Sequence, residues 1–338
     1  MIRYLTAGES HGDSLTGILE GFPAGVRTDR AYIAGELARR RGAPGRSARQ
    51  SAETDPFEIL SGLRGGLTTG APIAVSIKNA VRAVPEPSAL PRPGHADLGG
   101  MLKYGLADAG LVRERASARE TAMRTALGCF ASLLNAALGV KASSRVTSLG
   151  NLRTVTARNA ADQIERARRN GDTLGGEFEL VFTGVPAGLG SYAHADRRLG
   201  ARLGAALLGI NGVKGFSVGS AELTAAGGKE AARRPELSGG IDGGVTNGRD
   251  IVLRCAVKPV PGLPGGAPSR DLRTLKRAAA VSRTSDITAV FAAAVIAEHV
   301  AALELASALL EKFGGDSLAE IKPRVEAWRK RTARSINR

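Results

Sequence analysis

Aromatic residues are scarce, with eight Phe, four Tyr and one Trp in 338 residues. That is poor supply for a platform on which single-stranded bases stack. Cysteine is scarcer still: Cys129 and Cys255 form neither a CxxC nor a metal-ligand spacing. Free thiols in a reducing compartment are therefore expected, with no structural metal. Long hydrophobic runs are missing too. The most apolar stretch, 289–297, meets Glu298 well before a membrane span is complete, and the opening Met-Ile-Arg-Tyr-Leu-Thr has no signal-peptide core. A cytoplasmic protein without a membrane partner is the expectation.

Acidic residues are also in deficit, 32 against 47 Lys and Arg, leaving a net charge of +15. Such a surplus fits a nucleic-acid binder or an enzyme for polyanionic small molecules. Zinc-finger, RNP and long basic-tract patterns are absent, and the arginines stand singly or in short groups beside Gly. That arrangement suits pockets where guanidinium forks grip phosphate or carboxylate, so nucleic acid is not the expected partner.

The chain is 43% apolar, with 44 Gly and 15 Pro but no Gly-X-Y period, so it can bury a sizeable core. Alternation at Ile73, Val75 and Ile77, at Phe178, Leu180 and Phe182, and at Ile251, Leu253, Cys255 and Val257 predicts half-buried strands. Thr28 is placed to cap a helix through Ile33 and Leu37 that stops at Gly42. Ser117 with Glu120 reads as a capping box for an Ala-rich helix ending near Gly139. Further helices are predicted over 159–171, about 196–208, and about 288–313, the last closed by Gly314-Gly315. Loops are expected over 225–238 and 259–269. Without regular βα alternation or a GxGxxG turn, a Rossmann domain is unsupported. One α+β domain covering 1–338 is the reading.

Chemistry needs a proton carrier near neutrality, and there are only four His. His11 sits between glycines in Gly-Glu-Ser-His-Gly, and His95 shares a turn with Arg92 and Asp97. His194 reads as a surface residue at a helix start, and His299, inside an apolar helix, as packing. Arg39, Arg40 and Arg41 at a helix end complement its dipole. Arg46 and Arg49 lie beyond that end, where a phosphate site becomes competitive. Arg115 to Ser117 precede a helix whose free N–H groups suit an anion. The Gly-dense 239–248 segment fits either a loop pressed on a flat ligand or a tight turn into the next strand.

Taken in order, these segments resemble the chorismate synthase family. The resemblance rests on GESHG at 8–12, the Arg-Gly segment at 39–49, TTGAPI at 68–73, RPGHAD at 92–97 and Lys103-Tyr104-Gly105. It continues through RASARETA at 115–122, GVPAGLG at 184–190, GGIDGGVTNG at 239–248, Lys258-Pro259 and the terminal EKFGGDSL. It implies a β-α-β sandwich, with central helices between antiparallel sheets, assembled as a homotetramer. It also implies an anti-1,4-elimination of phosphate from 5-enolpyruvylshikimate 3-phosphate, giving chorismate with reduced FMN required but not consumed.

By motif, His95 would be the acid near the leaving phosphate and His11 would protonate or hydrogen-bond the reduced flavin. Asp286 would help flavin N5 accept the substrate proton; its plainer reading is an N-cap of the last helix. Arg40, Arg46 and Arg49 match basic positions that contact phosphate or NADP. Arg115, Ala116, Ser117, Gly243, Lys258, Pro259, Val260, Pro261, Gly262 and Thr284 match FMN-contacting positions. No segment provides a flavin reductase, so NAD(P)H would act only through a separate one. The chain departs from the family pattern at Thr284 (Arg283 precedes it), Phe291 and Gly110-Leu111, and is shortened between Ser220 and Gly239. The alternative is a relative that binds FMN or anions without turnover.

Overall fold

Two four-stranded antiparallel sheets enclose a layer of helices. The computed structural model describes residues 2–47, 54–80, 82, 86–263, 265–281 and 286–336. The first sheet has the order β1 (Arg3–Ala7), β2 (Ser14–Glu20), β4 (Ile73–Lys78), β3 (Phe57–Ile59). The second has the order β5 (Lys141–Leu149), β6 (Gly176–Thr183), β8 (Ile251–Val257), β7 (Val213–Val218). Alternation sets which face is buried. Ile73, Val75 and Ile77 point inward from β4, and Ile251, Leu253, Cys255 and Val257 do so from β8. The expected α+β sandwich is what forms.

The helices are α1 (Arg30–Arg41), α2 (Asp97–Tyr104), α3 (Ala109–Ala116), α4 (Thr121–Ala137), α5 (Ala157–Arg169), α6 (Leu199–Leu208), α7 (Val290–Phe313) and α8 (Leu318–Ile336). Helices α4 and α7 form the filling of the sandwich and are buried along most of their length. They cross so closely at Gly128 that a Cβ there would lie 2.5 Å from the His299 carbonyl oxygen. The nine-residue apolar run read from sequence understates α7. By length and composition this helix could cross a membrane, yet 89% of its apolar window is buried inside the fold. Its apolar residues have a protein partner, because α4, α1, α6 and the second sheet surround it. Cys129 on α4 and Cys255 on β8 are buried and in no disulfide, and burial raises both thiols, Cys255 to about 12.

Several local expectations shift. Asp29, not Thr28, caps α1 by accepting from the Tyr32 N–H at 3.0 Å. Ser117 accepts from the Arg119 N–H and opens a 3₁₀ turn, while Glu120 takes the Thr6 hydroxyl and Arg124 instead of closing a capping box. The segment 225–238 contains short helical turns at Gly228–Arg233 and Pro235–Ser238, and Ala267–Arg270 is a strand. Helices α2, α3 and α8 are additional to those the sequence predicts. The 239–248 segment is the tight-turn alternative: Ile241–Asp242 pairs with Val245–Thr246.

Candidate functional site

A cleft of about 530 Å³ opens where the loop after β1, the turn before α2, the α3–α4 junction and the exit of β8 converge. A neighbouring groove of about 660 Å³ shares His95, Ser117 and Lys258 with it and adds Arg115, Arg124 and Lys214. Both volumes fall in the range of cofactor and substrate sites, about 300–1,000 Å³.

His11 enters on the loop between β1 and β2. Glu114 on α3 holds it twice, with Oε2 accepting the His11 backbone N–H at 2.7 Å and Oε1 meeting Nδ1 at 2.6 Å. From below, Asn79 Nδ2 donates to the carbonyls of Glu9 and Gly12 at 2.9 and 2.8 Å. Asn79 is in turn fixed by the buried Arg119, whose guanidinium also pairs with Asp55. Sequence reading missed Glu114, Asp55, Asn79 and Arg119, since each partner lies tens of residues away and charge at one position reveals no contact.

His95 sits in the turn that starts α2. Its Nδ1 donates to the Pro93 carbonyl at 3.1 Å; a carbonyl only accepts, so Nδ1 carries the proton and Nε2 is left for acid–base work. Burial, then the Arg92 and Lys258 cations, hold its pKa below the usual histidine value, partly opposed by Pro93 and Asp97. Asp97 anchors the turn, accepting from the Arg92 N–H, Nε and Nη2 at 3.0, 2.9 and 3.0 Å and from Arg113 Nε at 2.8 Å. Burial alone would raise this carboxyl, but the two guanidiniums outweigh it and the pKa falls below the ordinary value. Lys258 Nζ donates to the Gly94 carbonyl. Gly94 has φ +71°, and a Cβ on it would come 2.7 Å from Pro261, so glycine alone allows the turn to press on the 258–262 wall.

Asp286 is on the far wall, where the loop after α1 docks against the lead-in to α7. Its carboxylate accepts from Arg46 Nη1 at 2.5 Å and from the Ser47 N–H at 2.7 Å. It does not cap α7, whose N-cap is Ala289 without a side-chain bond.

The cleft thus gathers His11, Arg46, His95, Ala116, Ser117, Lys258, Pro259, Val260, Pro261, Gly262 and Asp286. Arg115 lines the adjoining groove, its guanidinium donating to the Gly8 and Thr6 carbonyls and the Thr6 hydroxyl at 3.2, 2.8 and 2.8 Å. Two expected residues lie elsewhere. Arg40 is fully buried behind the cleft, where it donates to Thr121 Oγ1 and the Ala118 carbonyl at 3.1 and 3.0 Å and braces the start of α4. Desolvation, with Arg46 nearby, pushes its pKa down to about 9. Gly243 is in the 241–246 hairpin and does not line the cleft. Arg49, Arg283 and Thr284 fall outside the described residues. Gly110 is buried at the start of α3, Leu111 is exposed, and Phe291 packs on the core.

His194 is exposed at a short 3₁₀ turn. His299 is buried in α7, with Nε2 2.8 Å from Glu36 and Nδ1 3.1 Å from Ser132. Glu36, Glu298 and His299 have the spacing of a metal group, but Arg39 pairs with both glutamates and supplies the cation itself.

The cleft pairs apolar strips (Pro259 to Pro261, Ala116, Ala289) with the cations of Arg46, Arg92 and Lys258. That donor set fits a flat ring system with an anionic tail beside an anionic substrate.

Comparison with known proteins agrees with the fold and the motifs. The family model described as "Chorismate synthase" matches residues 2–310. Chorismate synthase of Desulforudis audaxviator (strain MP104C) is 44% identical, with 95% of each chain covered. That of Mycobacterium avium (strain 104) is 42% identical over 98% of this chain and 97% of its own. A solved structure titled "Crystal Structure of Chorismate Synthase" superposes with a TM-score of 0.78 at 32% identity, covering 98% of both chains.

Proposed function

The chain belongs to the chorismate synthase family, and from that membership we propose that its cleft performs the anti-1,4-elimination of phosphate from 5-enolpyruvylshikimate 3-phosphate, giving chorismate for aromatic amino-acid biosynthesis by the shikimate route. The observation that supports this is the meeting of His11, His95 and Asp286, drawn from both ends of the sequence, in one cation-lined cleft. The substrate carries a phosphate and two carboxylates, which the +15 chain is suited to attract.

Each residue has a task that its contacts suit. His95, held by Pro93 and flanked by Arg92 and Lys258, donates a proton to the leaving phosphate through Nε2. The two cations neutralise the charge that accumulates there. Reduced FMN, when bound, supplies electron density to the departing C–O bond and is not consumed. His11 hydrogen-bonds that flavin, and Asp286, fixed by Arg46 and Ser47, helps guide the substrate proton away. Ala116, Ser117 and the 258–262 wall would hold the cofactor, with Arg46 toward the phosphate. Arg40 supports this site from behind. Gly243 lies outside this cleft; in the homotetramer that this reading includes, it would contact the cofactor of a neighbouring subunit.

The same reading has the flavin reduced by a separate NAD(P)H-dependent reductase in the cytoplasm, and needs neither nucleic acid nor a membrane. Its test is anaerobic turnover of 5-enolpyruvylshikimate 3-phosphate with dithionite-reduced FMN, following chorismate absorbance and phosphate release. Turnover that disappears without reduced flavin is expected. FMN binding without turnover would refute the lyase and favour a binding-only relative.

A further inference from the structure

Among the described residues, the closest polar contact to a cleft histidine comes from a residue to which no motif pointed. Glu114 meets His11 at three places: Oε1 lies 2.6 Å from Nδ1, Oε2 accepts the His11 backbone N–H at 2.7 Å, and the Glu114 carbonyl accepts the Ser10 N–H at 3.1 Å. Both side chains are largely buried, at 13% and 12% exposure, so solvent does little to loosen the pair. We propose that Glu114 is the positioning residue that sets the tautomer and the aim of His11.

The argument is one of donors and acceptors. An ionised carboxylate can only accept. With Oε1 at hydrogen-bond distance from Nδ1, the proton of the neutral ring resides on Nδ1, and Nε2 is the nitrogen that meets a ligand as an acceptor. The second oxygen, bound to the backbone of the same residue, fixes the ring's starting point as well as its rotation. Helix α3 thereby transfers its rigidity to a Gly-flanked loop that has little of its own. The effect on rate rests on the function proposed above; the tautomer does not.

Glu114→Gln makes a sharp test because an amide has one acceptor and one donor. The His11 backbone N–H can only donate, so the glutamine oxygen stays with it. The NH2 group then faces Nδ1, which must accept, and the ring proton moves to Nε2. Glu114→Asp remains an acceptor only. With four histidines in the chain, solid-state ¹⁵N spectra of histidine-labelled protein at pH 8 resolve the tautomers, and His11→Asn assigns the signal. The expected result is Nδ1–H in the parent chain and in Glu114→Asp, and Nε2–H in Glu114→Gln. With reduced FMN, Glu114→Gln should lose about 10- to 100-fold in kcat, part of the roughly 10²–10⁴ that a positioned histidine contributes, with substrate KM within about twofold. An Nε2–H signal in the parent chain overturns the proposal, and so does Nδ1–H retained in Glu114→Gln; a flipped tautomer with unchanged kcat upholds the tautomer and refutes the effect on rate. If the parent chain binds FMN but shows no turnover, the functional reading fails while the spectra still decide the tautomer.

Discussion

Replacing Asp97 by Asn removes one negative charge from the turn that carries His95. The carboxylate is fully buried and accepts four hydrogen bonds from Arg92 and Arg113. An amide oxygen can keep some of them, but the NH2 group must then face a guanidinium. Breaking a buried pair costs about 3–5 kcal/mol. Here the Arg92 and Arg113 side chains are 28% and 24% exposed and regain some hydration, so about 2–3 kcal/mol is expected. For a chain of 338 residues that corresponds to a fall in Tm of about 3–4 °C. The pH dependence is the stronger test. The folded pKa of Asp97 is depressed, so its contribution is complete above the unfolded value of about 3.9 and is lost as pH falls through the lower folded value. Thermal unfolding of both proteins from pH 7 to pH 3 should show a gap that is full at neutrality and narrows below pH 4. A looser His95 turn should also lower kcat by about 10- to 100-fold. Equal Tm values at pH 7, or a gap indifferent to pH, would refute the reasoning.

Three further outcomes are expected. If His95 acts as an acid, kcat/KM for the free enzyme declines as pH rises through its lowered pKa; in the complex the substrate phosphate offsets Arg92 and Lys258, so the falling limb of kcat lies at higher pH, and coincident limbs would count against the assignment. Gly94→Ala combines a left-handed φ with a 2.7 Å approach to Pro261, costs about 1–2 kcal/mol in backbone strain, and should raise KM by displacing the wall; an unchanged KM would show the turn can yield. Gly128→Ala drives a methyl toward the His299 backbone at 2.5 Å and should cost about 1–3 kcal/mol of overpacking, read as a lower Tm with kcat retained because the contact is in the core.

Strands β4, β6 and β8 and helices α1, α4, α5, α6 and α7 were legible in the chain, because period-2 patterns, caps and Ala-rich runs are local signals. So were the family and most of the cleft: GESHG, RPGHAD, Ala116-Ser117 and 258–262 are contiguous motifs whose chemistry travels with them. Packing settled which cations line the cleft. Arg40 and Arg46 look alike in a basic segment, yet Arg40 is on the buried side of α1 under α4, whereas Arg46 lies past the helix end and meets Asp286. Likewise Gly243 shares its glycine pattern with ligand-pressing loops, but the hairpin takes it away from the cleft. Glu114, Asn79 and Arg119 hold the GESHG loop through partners far off in the chain. A long-range hydrogen bond leaves no periodicity for a sequence to show: local pattern specifies elements, and only packing brings distant donors and acceptors together.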